Sequence, residues 1–146
     1  MKSLATLIKL QKTNVDEQRR LLARLVDRLD RIEKEIERHL MQMALEQATV
    51  QQDPSSALTY GAFLKKAIAR TDQLERQKKA AQTAVDFARD RLAELFEEQK
   101  RYETAEAHRI EREKQEELRR ERLFLDEVGS VRFARKKAQE RSDSGG

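Results

Sequence analysis

His39 and His108 are the only imidazoles in the chain, and a pair of histidines one turn apart on a helix, with a glutamate between them, would begin a zinc site. The two lie far apart in sequence and neither opens a His-Glu-x-x-His pattern, so no metal centre is expected. Paired carboxylates such as Glu97-Glu98 and Glu116-Glu117 could divide acid and base roles only in a desolvated pocket that separates their pKa values. Here they stand in charged runs with bases beside them, which is how a solvated helix face reads. Cradling a phosphate takes several glycines close together, whereas Gly61, Gly129, Gly145 and Gly146 are isolated or terminal. The absence of cysteine removes disulfide and thiolate chemistry and fits a reducing cytosol. The expectation is a chain with no enzymatic activity, no cofactor and no small-molecule substrate, which acts by binding.

Three stretches could do that binding. Near the C-terminus Val128, Val131 and Phe133 alternate with Arg132, Arg135, Lys136 and Lys137, an amphipathic basic segment in which Gly129 should loosen the helix. A frayed, solvated end is the plain alternative, but burying each large apolar side chain in a partner would contribute about 1.5–3 kcal/mol. Nucleic acid is the rival partner, since Arg132, Arg135, Lys136 and Arg141 could neutralise phosphates. It is disfavoured because aromatics make up 5% of residues and no nucleic-acid motif is present. Tyr60 and Phe63 fall on one helical face, where they cap an apolar core, offer a partner site, or do both. His39, with Gln42, Met43 and Glu46 beyond it, reads first as a polar seam residue that fixes register and second as a pH switch.

Long helices must position these groups. Of the 146 residues 40% are charged, with one proline and four glycines, a composition of rods rather than of globules. Ile8, Val15, Leu22, Leu29, Ile36 and Met43 return every seventh position. Their companions three residues later are Gln11, Gln18, Leu25, Ile32, His39 and Glu46, so the seam is apolar in its middle and polar at both ends. Leu21, Val26 and Leu40 widen the stripe enough to take a third element or a partner. Asp53-Pro54-Ser55-Ser56 is a helix restart, with Asp as cap and Pro at the first helical position. A second, alanine-rich heptad run passes through Leu64, Ala67, Leu74, Ala81, Val85, Ala88, Leu92, Leu95 and Tyr102, and its small residues admit a close neighbour.

The fold class that follows is all-α: an antiparallel two-helix coiled-coil hairpin over residues 1–141, whose longer second helix projects past the first. Helix 1 should cover about residues 3–50, the bend 51–57 and helix 2 58–140, with a disordered tail at 142–146. Pairing about such a bend sets residue 54 + n beside 52 − n, which exhausts the first helix opposite residues 102–105. Residues 128–141 carry five bases against one acid, so the net charge of +4 is a C-terminal property. Lys9 and Lys12 make the start too polar for a signal peptide, and nowhere do 18 apolar residues follow one another; a soluble or at most peripheral protein is expected.

Several of these stretches together resemble the FliJ family of the flagellar type III export apparatus. They are the opening Leu4-Ala5-Thr6-Leu7-Ile8-Lys9-Leu10, the Asp16-Glu17-Gln18-Arg19-Arg20 segment, Tyr60-x-x-Phe63 early in the longer helix, and the ending Leu125-Asp126-Glu127…Arg132-Phe133-Ala134-Arg135. The resemblance spans residues 4–137. It implies a cytoplasmic antiparallel coiled coil, peripheral at the inner membrane and similar to the stalk subunit of rotary ATP synthases. Such a stalk enters the pore of the export ATPase hexamer, promotes its assembly, contacts the export gate protein FlhA and handles export chaperones. By the family's pattern the ATPase-ring contact would use Val131, Arg132, Phe133, Arg135 and Lys136. The gate contact would use His39, Gln42, Glu46, Phe63, Ala67 and Arg70. The stalk of a virulence injectisome is scarcely separable on this basis. From other classes, a basic coiled coil that binds nucleic acid through residues 128–141 and a self-associating structural rod remain as alternatives.

Overall fold

The computed structural model describes residues 3–145. Helix α1 spans Leu4–Gln52, 49 residues or about 75 Å. It begins where Ser3 leaves the extended region and its Oγ accepts the Thr6 amide at 3.2 Å, closing one of the free donors of the first turn. Its last turn ends on Asp53, whose amide still bonds the Thr49 carbonyl at 3.0 Å. There Asp53 Oδ1 accepts both the amide (3.2 Å) and the hydroxyl (2.6 Å) of Ser55, which folds Pro54–Ser56 into a single 3-10 turn. The restart expected at Asp-Pro is thus present. Helix α2 follows at once as Ala57–Ser144, 88 residues or about 130 Å without interruption.

The helices pair along one seam, in the hairpin the heptads require. The buried apolar residues are Val15 and Ile32 of α1 and Ala67, Leu74, Ala81, Val85, Ala88 and Leu95 of α2. All lie on the two heptad runs, and the alanines let the helices approach closely enough to bury their neighbours. Leu74 and Val85, at 0% and 1% exposure, are the largest fully buried side chains. Leu21 and Val26 remain more than a third exposed, so the widened stripe of α1 is only partly covered.

The register follows the expected pairing of residue 54 + n with 52 − n, since the side chains of Gln11, Gln18 and His39 bond the carbonyls of Leu95, Ala88 and Ala67. Gln11 reaches both the Leu95 carbonyl (3.0 Å) and Glu98 (3.1 Å), His39 lies between the Ala67 carbonyl (3.0 Å) and Thr71 Oγ1 (2.9 Å), and Thr71 also approaches Met43 Sδ at 3.7 Å. A side chain held between residues three or four apart on the facing helix is a knob in a hole, as in coiled coils. Residues 53–56 form the connecting turn, and in this register the start of α1 lies beside Tyr102. Glu106, one turn farther along α2, has a side chain 20% exposed.

Past Glu106 α2 has no facing helix. Its surface carries instead a ladder of local ion pairs: Arg109 with Glu106 (2.7 Å) and Glu113 (2.8 Å), and Arg119 and Arg120 with Glu116 (2.7 and 3.6 Å). Such i,i+3 and i,i+4 pairs support a helix that tertiary packing does not reach. Gly129 lies within α2, as the expected span of helix 2 requires. One expectation changes here: the helix continues through Ser142, Asp143 and Ser144 to a cap in which the Gly145 amide bonds the Arg141 carbonyl at 3.1 Å. Neither place contains a proline, so the ladder of backbone hydrogen bonds runs on through them. Gly146 lies outside the described residues.

Candidate partner-binding surfaces

The bend end carries the first surface. His39 is half-buried on α1, and because the Ala67 carbonyl can only accept, Nε2 carries the proton and donates. Thr71 Oγ1 donates to the same carbonyl at 2.9 Å, so the two side chains converge on one backbone oxygen. Ala67 itself is 4% exposed beneath them, and a partner would meet its neighbours rather than its methyl group. Gln42 is exposed and bonds Glu46 at 3.3 Å. Phe63 is half-buried and stacks on Tyr60, centroids 6.2 Å apart and planes at 28°. Arg70 bridges the helices to Glu35 and bonds Gln73 at 2.9 Å, on an edge of the hairpin rather than within the His39 cluster. Of the six residues, the structure therefore joins His39 to Ala67 and Gln42 to Glu46, and it ties Arg70 elsewhere.

Around them lies apolar surface that heptad reasoning passed over. Met41, Leu45, Leu58 and Ile68 are exposed, Leu58 at 93%. Their signal in the sequence is that they are large apolar residues standing off the seam positions, with Met41 and Leu45 one turn apart on α1. Midway along the hairpin Phe87 is 75% exposed, while Phe96 is shielded by the Arg19 guanidinium 4.9 Å above its ring.

The projecting end carries the second surface. Val131 and Phe133 are both largely exposed, and Arg132, Arg135 and Lys136 stand free in solvent beside them. The ring of Phe133 has only the Lys137 ammonium over it, at 5.4 Å. Leu123, Phe124 and Leu125 extend the apolar surface toward the hairpin. All of these ride on one helix, so their relative positions are set by helical geometry alone.

Electrostatics on this end is local. The hydrogen bonds donated by Arg109 hold the Glu106 carboxyl below the ordinary carboxylate range, and those from Arg119 do the same for Glu116. The carboxylates in turn raise both guanidinium pKa values. Among the described residues no group of three or more His, Cys, Asp or Glu side chains could hold a metal ion, and no helix is long and apolar enough to cross a membrane.

Comparison with protein families finds a match over residues 1–138 to the family described as Flagellar FliJ protein. Comparison with curated proteins and with solved structures gives no match.

Proposed function

The chain belongs to the flagellar FliJ protein family, and from that membership we propose that it is a non-enzymatic stalk of flagellar type III protein export. In this reading the projecting end of α2 enters the export ATPase ring and promotes assembly of the hexamer, while the bend end meets the export gate protein FlhA at the membrane. The protein then works in the cytoplasm, at the inner face of the membrane, and export chaperones are further partners.

The observation that supports the reading most is the unpaired end of α2. A helix that leaves its partner near Glu106 and continues to Ser144 presents Val131 and Phe133 among Arg132, Arg135 and Lys136 on a shaft one helix wide. Such a shaft, about 10–12 Å across with its side chains, is narrow enough for a central pore. At the other end, exposed Gln42, half-buried Glu46 and Phe63, and the apolar Met41, Leu45 and Ile68 offer a broader face suited to a folded domain.

The test is the ATPase rate of a purified flagellar export ATPase near its assembly threshold, with and without this protein and its Phe133→Ala/Arg135→Ala variant. Stimulation by the unaltered chain and not by the variant is the expected result. No stimulation by either, with both chains folded, overturns the ring contact.

A further inference from the structure

The seven-residue repeat gives the paired hairpin two broad sides. On one, Arg70 reaches Glu35 across the seam, and Asn14, Leu21, Arg24 and Arg91 line a shared hollow. On the other, Arg19 covers Phe96, and Lys12, Asp16 and Lys100 line a second hollow. Residues a heptad apart share a side, so these two sets assign the rest. Within residues 21–38 of α1 and 66–87 of α2, the first side carries Arg24, Arg28, Arg31, Arg38, Lys66 and Arg70 against Glu35 alone. The second carries Asp30, Glu33, Glu37, Asp72, Glu75 and Asp86 against Lys79 alone. Charge that alternates along the chain is therefore sorted by sign around the helices.

From this sorting we infer that the basic side docks the hairpin on an anionic lipid surface. Arg24, Arg28, Arg31, Arg38 and Lys66 are exposed, and none has an ion-pair partner among the described residues. Arg28 and Arg70 stand near the midline, whereas Arg24, Arg31, Arg38 and Lys66 stand on the outer shoulders of the two helices. Positive charge thus spreads across a width of about 20 Å, two helix diameters. A flat surface meets all of these side chains at once, since long basic side chains reach outward from a shoulder. A cylinder laid along the midline, a partner helix or a nucleic-acid duplex, would meet Arg28 and Arg70 and miss the others. The midline itself is closed to a third helix by the bridge between Arg70 and Glu35.

Apolar side chains mark both ends of the basic stretch. Leu45 and Phe87, 66% and 75% exposed, stand on the same side about 39 Å apart along the axis, with the six cations between them. Cations flanked by apolar residues that enter the headgroup layer are the composition of a peripheral lipid contact. Leu40 and Ile68 are exposed on the acidic side, so charge rather than apolar exposure decides which side a bilayer takes. Toward the open end of the hairpin the basic side admits Glu17, Glu94 and Glu98, and the excess of positive charge ends there. The inference uses neither the export ATPase nor the gate protein, and it stands apart from the stalk reading.

The experiment is co-sedimentation of the full-length chain with vesicles of phosphatidylcholine, and of phosphatidylcholine with one third phosphatidylglycerol. Binding to the second kind alone is expected, falling with added salt. Arg24→Gln/Arg28→Gln/Arg31→Gln should weaken it about a hundredfold. Lys79→Gln/Arg89→Gln/Lys100→Gln removes as many charges from the other side and should change it by about twofold or less. All six residues are exposed, and unchanged circular dichroism would show that both variants are folded. Because the chain has no tryptophan, Phe87→Trp and Phe96→Trp report the two sides separately. Emission from the first should move to shorter wavelength on anionic vesicles, and emission from the second should not. Absence of binding, equal losses in the two triple variants, or an unmoved Phe87→Trp spectrum would each overturn the inference. Binding to polyuridylate as tight as to the vesicles would overturn the bilayer as the partner in favour of nucleic acid.

Discussion

The Nε2 of His39 stands 3.0 Å from the Ala67 carbonyl oxygen, so a side chain on one helix is bonded directly to the backbone of the other. Gln18 does the same to the Ala88 carbonyl at 3.2 Å and Gln11 to that of Leu95 at 3.0 Å. Two of the three accepting residues are alanines, whose small side chains leave the carbonyl within reach. Among the described residues no buried side-chain nitrogen or oxygen lacks a partner. A slide of less than a full heptad would take all three side chains off these acceptors, so the bonds add to the apolar stripe in fixing the register.

Replacing His39 with Leu should therefore separate stability from specificity. An apolar residue on the seam is expected to raise the stability of the hairpin by about 1 kcal/mol while relaxing its register. Thermal unfolding checks the first effect, and distances between spin labels on the two helices check the second. A lower melting temperature would mean that the bonds to Ala67 and Thr71 contribute more than the burial that replaces them.

Leu74→Ala is expected to lower stability by about 2–4 kcal/mol, because its side chain is wholly enclosed and a rod has few other core residues to close the gap. Chemical denaturation followed by circular dichroism measures this. A loss under half a kcal/mol, taken as about the size of a surface substitution, would show that the helices collapse onto the vacancy.

Amide exchange should divide α2 near Glu106. Residues beyond it have only local hydrogen bonds and ion pairs to resist opening, whereas those facing Leu22 to Ile36 must part the seam first. Equal protection on both sides, at concentrations where the chain is monomeric, would contradict a single-helix projection.

Acid should loosen the projection before the hairpin. Glu106 and Glu116 have folded pKa values below the unfolded value of about 4.3. Their stabilising contribution is thus fully present above that value and is lost as pH falls through the lowered folded pKa. Helical chemical shifts around residues 106–120 are expected to decline below about pH 4, less steeply in a Glu106→Gln/Glu116→Gln variant. A profile unchanged by those substitutions would remove these two pairs as the cause.

Gly129→Ala should raise the helicity of the same region, by about 0.8–1 kcal/mol at that position, since nothing lies within 4 Å of the added methyl. Circular dichroism at elevated temperature would report it. A drop in helicity would mean that the glycine serves a shape other than a straight helix.

Much of this molecule is legible from spacing. The uninterrupted sevenfold run from Ile8 to Met43 and the Asp53-Pro54 restart determine two helices and their antiparallel sense, because local periodicity and a single turn leave no other way to cover the stripe. The register was legible too, because a short turn leaves little freedom and Gln11, Gln18 and His39 bond the residues that pairing 54 + n with 52 − n names. Composition misjudged residues 142–144, where the continuing backbone hydrogen bonds and the absence of proline outweigh weak propensity. At the bend end, His39 and Phe63 were visible as a polar seam residue and an off-register aromatic. Leu58 and Ile68 were not, since apolar residues outside a heptad are indistinguishable from noise until the paired helix shows which face is left open.

Because α2 passes unbroken from the seam into the projection, the molecule is a lever with its fulcrum near Glu106. The arm beyond that point is about 57 Å long, so a tilt of roughly 5° there sweeps the tip through about 5 Å. The hairpin resists bending with two helices and the arm with one, which concentrates compliance at the place where α1 begins. A grip on Phe133 at the far end is thus transmitted to the Glu106 junction as a bending moment, and the first contacts to feel it are those of Gln11 with Leu95 and Glu98.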